Sequence, residues 1–90
     1  MQMNFSKIIQ FSRQMKAGNR QREFNFKKLK NPGLEQFNVD VSDERGDRIF
    51  FSMEKNDTKW QIIPAQLPQW VLQSENNLHI VIEEELSVPN

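Results

Sequence analysis

Ninety residues accommodate one domain, because chains divide into separate cores only well beyond ~200 residues. Twelve Lys and Arg against twelve Asp and Glu cancel, and 37% hydrophobic with 27% charged residues is ordinary for a soluble globular chain, which excludes a collagenous chain, a wholly disordered one and an apolar membrane span. The cancellation conceals a dipole along the sequence: residues 1–36 hold eight basic and two acidic residues, net +6, and residues 37–90 hold four basic and ten acidic ones, net −6.

In chain order, Phe5 to Met15 reads as a first strand, with adjacent Ile8 and Ile9 marking either a bulge or cover on both faces. After a turn at Ala17-Gly18-Asn19, Phe24 and Phe26 alternate with Glu23, Asn25 and Lys27, which predicts a second strand with one buried face. A turn at Asn31-Pro32-Gly33 leads to Phe37, Val39 and Val41, alternating with Asn38, Asp40 and Ser42. A turn at Glu44-Arg45-Gly46-Asp47 leads to Ile49, Phe51 and Met53, alternating with Phe50, Ser52 and Glu54. Asn56-Asp57 precedes a short run in which Trp60 and Ile62 are the apolar phase. Connections this short impose an antiparallel meander, since parallel neighbours need a crossover of about a dozen residues or more.

The period changes after Pro64. Apolar residues at 67, 70, 71, 78, 81, 82 and 86 fall on one stripe of a helix running from about Leu67 to Leu86, with Pro68 in its first turn and 87–90 as a loose tail. The expected architecture is α+β: a single domain over 1–90, with four to five antiparallel strands between about residues 5 and 63. One C-terminal helix packs on one sheet face, and the other face is left to solvent or to a partner.

The residue inventory argues against an enzyme. There is one histidine, His79, on the margin of the helix stripe, where it reads as solvated or partner-facing. There is no cysteine or tyrosine, and the three glycines at 18, 33 and 46 form no phosphate cradle. Without cysteine there is no disulfide, thiolate nucleophile or cysteine-ligated zinc, and the cytosol is the expected compartment. Met1 to Met15, interrupted by Lys7, Gln10 and Arg13, lacks the apolar run of an export signal. Asp40, Asp43, Glu44 and Asp47 surround a glycine turn without calcium-loop spacing, so they read as a polar hairpin turn. No cofactor, metal, membrane or small-molecule substrate is indicated.

Two features point toward association. Glu83, Glu84 and Glu85 stack negative charge in the last helical turn, where the helix dipole is already negative, so a counter-charge is expected. Its expected source is Arg20, Arg22, Lys27, Lys28 and Lys30, within the chain or from a second copy. Leu72 and Ile80 lie off the apolar stripe and are candidates for an interaction face. The basic half supplies cations that neutralise phosphate, and Phe50 is the one aromatic that projects clearly to the open face, with Asn25, Lys27, Asn38, Ser52 and Gln61 around it. Asp40 and Glu54 on that face are expected to repel phosphate.

The run Phe11-Ser12-Arg13-Gln14-Met15-Lys16-Ala17-Gly18-Asn19-Arg20, followed by Phe24-Asn25-Phe26-Lys27, resembles the opening of PUR repeats, a family of single-stranded nucleic-acid binders. Asp47-Arg48-Ile49 through Ser52-Met53 is similar to a later strand of that repeat. Some 45 of the 90 residues take part. Where the family tends to carry Thr-Tyr-Phe-Phe, this chain has Gln21-Arg22-Glu23-Phe24. The resemblance implies an antiparallel sheet followed by a helix, association of two repeats, and binding of single-stranded DNA or RNA on the sheet. Lys16, Asn19 and Arg20 would then lie near phosphate, and Asn25 and Lys27 near bases.

Two readings follow. The first is a non-enzymatic module binding single-stranded nucleic acid through Lys16, Asn19, Arg20, Asn25, Lys27, Lys28, Lys30 and Phe50. The second is a protein-interaction or structural module that self-associates, as a homodimer, through its acidic helix (Leu72, Ile80, Glu83, Glu84, Glu85) and its basic strands.

Overall fold

A computed structural model describes residues 9–29 and 33–87. It contains β1 (Gln10–Ala17), β2 (Arg20–Lys28), β3 (Gln36–Ser42), β4 (Arg48–Asn56), β5 (Lys59–Ile62), α1 (Gln69–Leu72) and α2 (Glu75–Leu86). The strands form one antiparallel meander in sequence order, a curled sheet with the helical segment on one face. No helix among the described residues is long and apolar enough to cross a membrane.

The period-two reading holds along β2 to β5: Phe24, Phe26, Phe37, Val39, Val41, Phe51, Met53, Trp60 and Ile62 are buried on the helix side, and Phe50 points the other way. Four aromatic rings link the strands under the helix. Phe11 stacks on Phe26 at 4.6 Å, Phe37 meets both edge-on, and Phe37 meets Trp60 at 5.2 Å. Each such pair adds roughly 0.5–1.5 kcal/mol beyond the area it buries. From the helical segment Val71, Leu78, Val81 and Ile82 close the core.

The first strand sits later than its apolar pattern suggests. It reaches Ala17 because Gly18, with φ of 69°, allows a two-residue hairpin loop, and the register Ala17↔Arg20 through Gln10↔Lys27 follows. Phe5 to Ile8 lie outside the described residues.

The helix expected as one piece from 67 to 86 is two. Pro68 stands outside it, with ψ of 150°, and a break falls at Gln73 and Ser74. The buried Ser74 explains it: its hydroxyl donates to the Trp70 carbonyl at 2.8 Å, while its N–H turns to the Val71 carbonyl at 2.9 Å. A serine bonding back to the fourth preceding carbonyl competes with the helical ladder and re-aims the axis.

That re-aimed axis lays α2 along the outer edge of β5. Ile63 N–H donates inward to the Ser52 carbonyl, whereas the N–H groups of Trp60 and Ile62 point out of the sheet. His79 Nδ1 accepts from Trp60 N–H at 3.0 Å and Glu75 accepts from Ile62 N–H at 2.8 Å. Glu83 accepts from the Trp60 indole N–H at 3.0 Å. Positions 75, 79 and 83 recur every four residues, so one helix stripe replaces the missing sixth strand. His79 is therefore half-buried and bonded to the sheet edge, contrary to the expectation of a solvated or partner-facing residue.

His79→Ala strips the acceptor from the N–H of a fully buried residue, and a loss of about 1–3 kcal/mol of unfolding free energy is expected by denaturant titration. A change within error would show that the edge bond contributes nothing.

Candidate functional site

On the face away from the helices, β1 to β4 enclose a groove of about 650 Å³. That lies within the ~300–1,000 Å³ usual for ligand sites. The strand register arranges its eight outward side chains in two transverse rows. One row is Gln10, Lys27, Asn38 and Ser52; the other is Ser12, Asn25, Asp40 and Phe50. Rows two residues apart stand about 7 Å from each other.

The second row is internally bonded. Ser12 Oγ donates to Asn25 Oδ1 at 2.6 Å, and Asn25 Nδ2 donates to Asp40 Oδ1 at 2.8 Å. Arg48 donates to the same Asp40 oxygen at 3.1 Å. Both ends of the Asn25 amide are thus engaged, and it acts as a rigid spacer. The Asp40 charge is matched by Arg48, which lessens the repulsion of phosphate expected from Asp40. Phe50 ends the row with 71% of its surface exposed.

The first row keeps unused donors. Asn38 Oδ1 accepts from Ser52 Oγ at 2.9 Å, which leaves its NH₂ toward the groove. Lys27 and Gln10 make no side-chain hydrogen bond or ion pair among the described residues. The groove therefore presents a cation, two amides and an aromatic face, with the only carboxylate in its lining neutralised.

The other sequence candidates are dispersed. Lys16 lies on the same face four residues along β1 from Ser12, about 13 Å away. Asn19 and Arg20 are exposed at the hairpin loop, with Arg20 3.9 Å from Glu44. Lys28 is half-buried in the core-side phase of β2, opposite Phe37, so alternation carries it away from the groove that Lys27 faces. Lys30 lies outside the described residues. Leu72 and Ile80 are exposed on the helical segments.

Among the described residues the counter-charges of the last helical turn come from Arg13 and Lys55, neither of them among the cations expected to supply them. Arg13 on β1 bonds Glu84 and stands 3.6 Å from Glu85, and Lys55 on β4 stands 3.6 Å from Glu83. The acidic run is thus paired within the chain, by cations from two strands on the helix side of the sheet.

Arg22 has a role its sequence position did not suggest. Its side chain is only 6% exposed, donates to the Ala17 carbonyl at 2.8 Å and to Glu44 at 2.6 Å, and lies 3.7 Å over the Trp70 ring. It ties the β1–β2 hairpin, the β3–β4 turn and α1 together. Gly18 is required there: a Cβ would stand 3.3 Å from both Arg22 and Trp70, at a positive φ. Across the same turn Asp43 accepts from the N–H groups of Arg45 and Asp47, each at 2.9 Å, the polar hairpin turn expected from sequence.

The Arg22 guanidinium bonded to Glu44 holds that carboxyl below the usual range, aided by the backbone and despite slight desolvation. Comparison of the chain with protein-family models, curated proteins and solved structures finds no match.

A depressed carboxyl contributes stability that is present above its unfolded value and lost as pH falls through its folded one. Glu44→Gln should therefore lower the denaturation midpoint at neutral pH, and the difference from wild type should vanish in acid, where both side chains are uncharged. A deficit that persists unchanged in acid would assign the loss to packing.

Proposed function

We propose that the protein is a non-enzymatic binding module of the cytosol whose open sheet face takes a short stretch of single-stranded nucleic acid. The observation that carries this reading is the placement of an exposed aromatic ring, Phe50, in one groove with Lys27 and the unengaged donors of Asn38 and Gln10. A base stacks on Phe50, the amides of Asn38 and Gln10 meet its edge, and Lys27 and then Lys16 neutralise the phosphates that follow. The resemblance of the first two strands to PUR repeats supports the same ligand class on the same face.

The structure alters the terms of binding from those the basic half suggested. With Arg13, Arg20, Arg22 and Arg48 beside carboxylates, Lys27 is the cation that lines the groove and Lys16 the next along β1, so stacking and amide contacts carry more of the affinity than charge. Selectivity should favour one or two unpaired bases over a long tract. The alternative, association of the acidic helix with the basic strands of a second copy, loses its electrostatic driver, because Glu83, Glu84 and Glu85 are paired within the chain.

In a titration of labelled oligonucleotide, affinity should fall with salt at a log–log slope of only about −1.4, the value for two phosphate contacts. Phe50→Ala should weaken binding by about tenfold to a hundredfold with little change in slope. Lys27→Glu should weaken it and flatten the slope by about half. No binding at ~50 mM salt, where phosphate contacts are least screened, contradicts the proposal, as does binding that Phe50→Ala leaves unchanged.

A further inference from the structure

The two edges of the sheet are treated differently. The outer edge of β5, four residues long, is capped by Glu75 and His79 from α2. The outer edge of β1 is eight residues long, and among the described residues no strand pairs with it. Lys28 N–H donates to the Ile9 carbonyl, so by alternation Phe11, Arg13, Met15 and Ala17 direct their backbone groups to β2. Gln10, Ser12, Gln14 and Lys16 direct theirs outward. A long edge of this kind is a template for another strand. Ile9, Phe11 and Met15, packed against the core yet only partly buried, show that the apolar interior is also incompletely closed on this flank.

We infer that the occupant of this edge is β1 of a second copy, paired antiparallel about a two-fold axis at Gln14. Side chains opposite each other must share a face, which restricts the centre to a residue position. Centring on Arg13 would set that cation against its own copy, a destabilising cross-strand pair. Centring on Gln14 sets Gln14 opposite Gln14, Ser12 opposite Lys16, Arg13 opposite Met15 and Phe11 opposite Ala17. No like charges then face each other. The hydrogen-bonded pairs are Gln14 with Gln14 and Ser12 with Lys16, the residues whose N–H and C=O groups already point outward. Phe11 and Met15 gain cover from Ala17 and from the aliphatic stem of Arg13. Glu84 and Glu85, holding Arg13, keep its charge matched beside the joint.

The axis is perpendicular to the sheet, so both open faces look the same way and the two grooves adjoin. Lys16 of the second copy lies directly opposite Ser12, which lines the groove and bonds Asn25. Each groove thereby gains a Lys16 of its neighbour that stands closer than its own, four residues away on β1, so in the dimer the second phosphate contact falls to the neighbour's Lys16. That consequence rests on the nucleic-acid reading; the assembly does not.

Sedimentation of the ligand-free protein should give twice the 10.7 kDa chain mass at micromolar concentration and above. Gln14→Pro removes an N–H that faces away from β2, so the monomer keeps its ladder, and the dimer dissociation constant should rise at least about tenfold with loss of the two central bonds. Gln14→Lys, with no backbone change, should weaken the dimer most at low salt by placing like charges across the axis. Ile80→Asp should leave it intact. A wild type sedimenting at 10.7 kDa throughout, a dimer that survives both Gln14 variants, or one dissociated by Ile80→Asp would overturn the proposal. If the groove also takes oligonucleotide, the Gln14→Pro monomer should show a salt slope flatter by about 0.7, one phosphate contact. Assembly is read without ligand and binding with it, so either can fail alone.

Discussion

The outward N–H groups of Trp60 and Ile62 govern this fold. Trp60 is fully buried, and a buried donor without an acceptor costs about 1–3 kcal/mol, so the last strand of the meander needs a partner that no sixth strand among the described residues provides. The chain supplies one from the stripe of Glu75, His79 and Glu83 on α2. Satisfying those donors fixes where α2 lies, which side of the sheet it covers and which side it leaves bare. Among the described residues it also leaves no helix to cap the β1 edge as α2 caps β5.

Charge is allocated by the same geometry. With α2 held at the β5 edge, the curl of the sheet brings its last turn between Lys55 and Arg13, and the negative run at the negative end of the helix finds cations from two strands. Arg22 and Glu44 perform the corresponding task at the hairpin end, with Arg22 desolvated against Trp70. What remains on the open face is close to neutral and rich in amide and hydroxyl groups, broken by Lys27 and by Phe50. The formal zero of the composition is thus in part a settlement between the two halves of the chain, made by Arg13, Arg20 and Arg22 with Glu44, Glu84 and Glu85. It favours a ligand held by stacking and amides with little dependence on bulk charge.

Much of this was legible in the sequence wherever one rule acts locally. Alternation separates Phe50 from Phe51 and Lys27 from Phe26, because a strand buried on one face has period two and a one-residue error would invert every side chain. It also placed Phe50, Asn38, Ser52 and Lys27 on one face before their register was known. Applied consistently, the same alternation would have removed Lys28 from the phosphate set and added Ser12 and Gln10 to the groove. Other features were not legible because their causes are distant in the chain. Nothing near His79 announces that its acceptor is needed 19 residues earlier. Ser74 breaks the helix only because burial turns its hydroxyl onto a carbonyl. A cation at position 22 reads as surface until Trp70 is seen beneath it. Asn25, an apparent base reader, is occupied by neighbours on two other strands.

Residue-resolved amide hydrogen exchange in dilute protein bears most directly on the central claim. The N–H groups of Trp60 and Ile62 point out from the sheet edge, yet their side-chain acceptors on α2 should protect them as strongly as the interior ladder, whereas the N–H of Gln14, outward-facing on the uncapped β1 edge, should exchange rapidly. If Trp60 and Ile62 exchange as fast as Gln14, α2 does not stand in for a strand. The placement of the helix, the bare face and the asymmetry of the two edges would then need another cause.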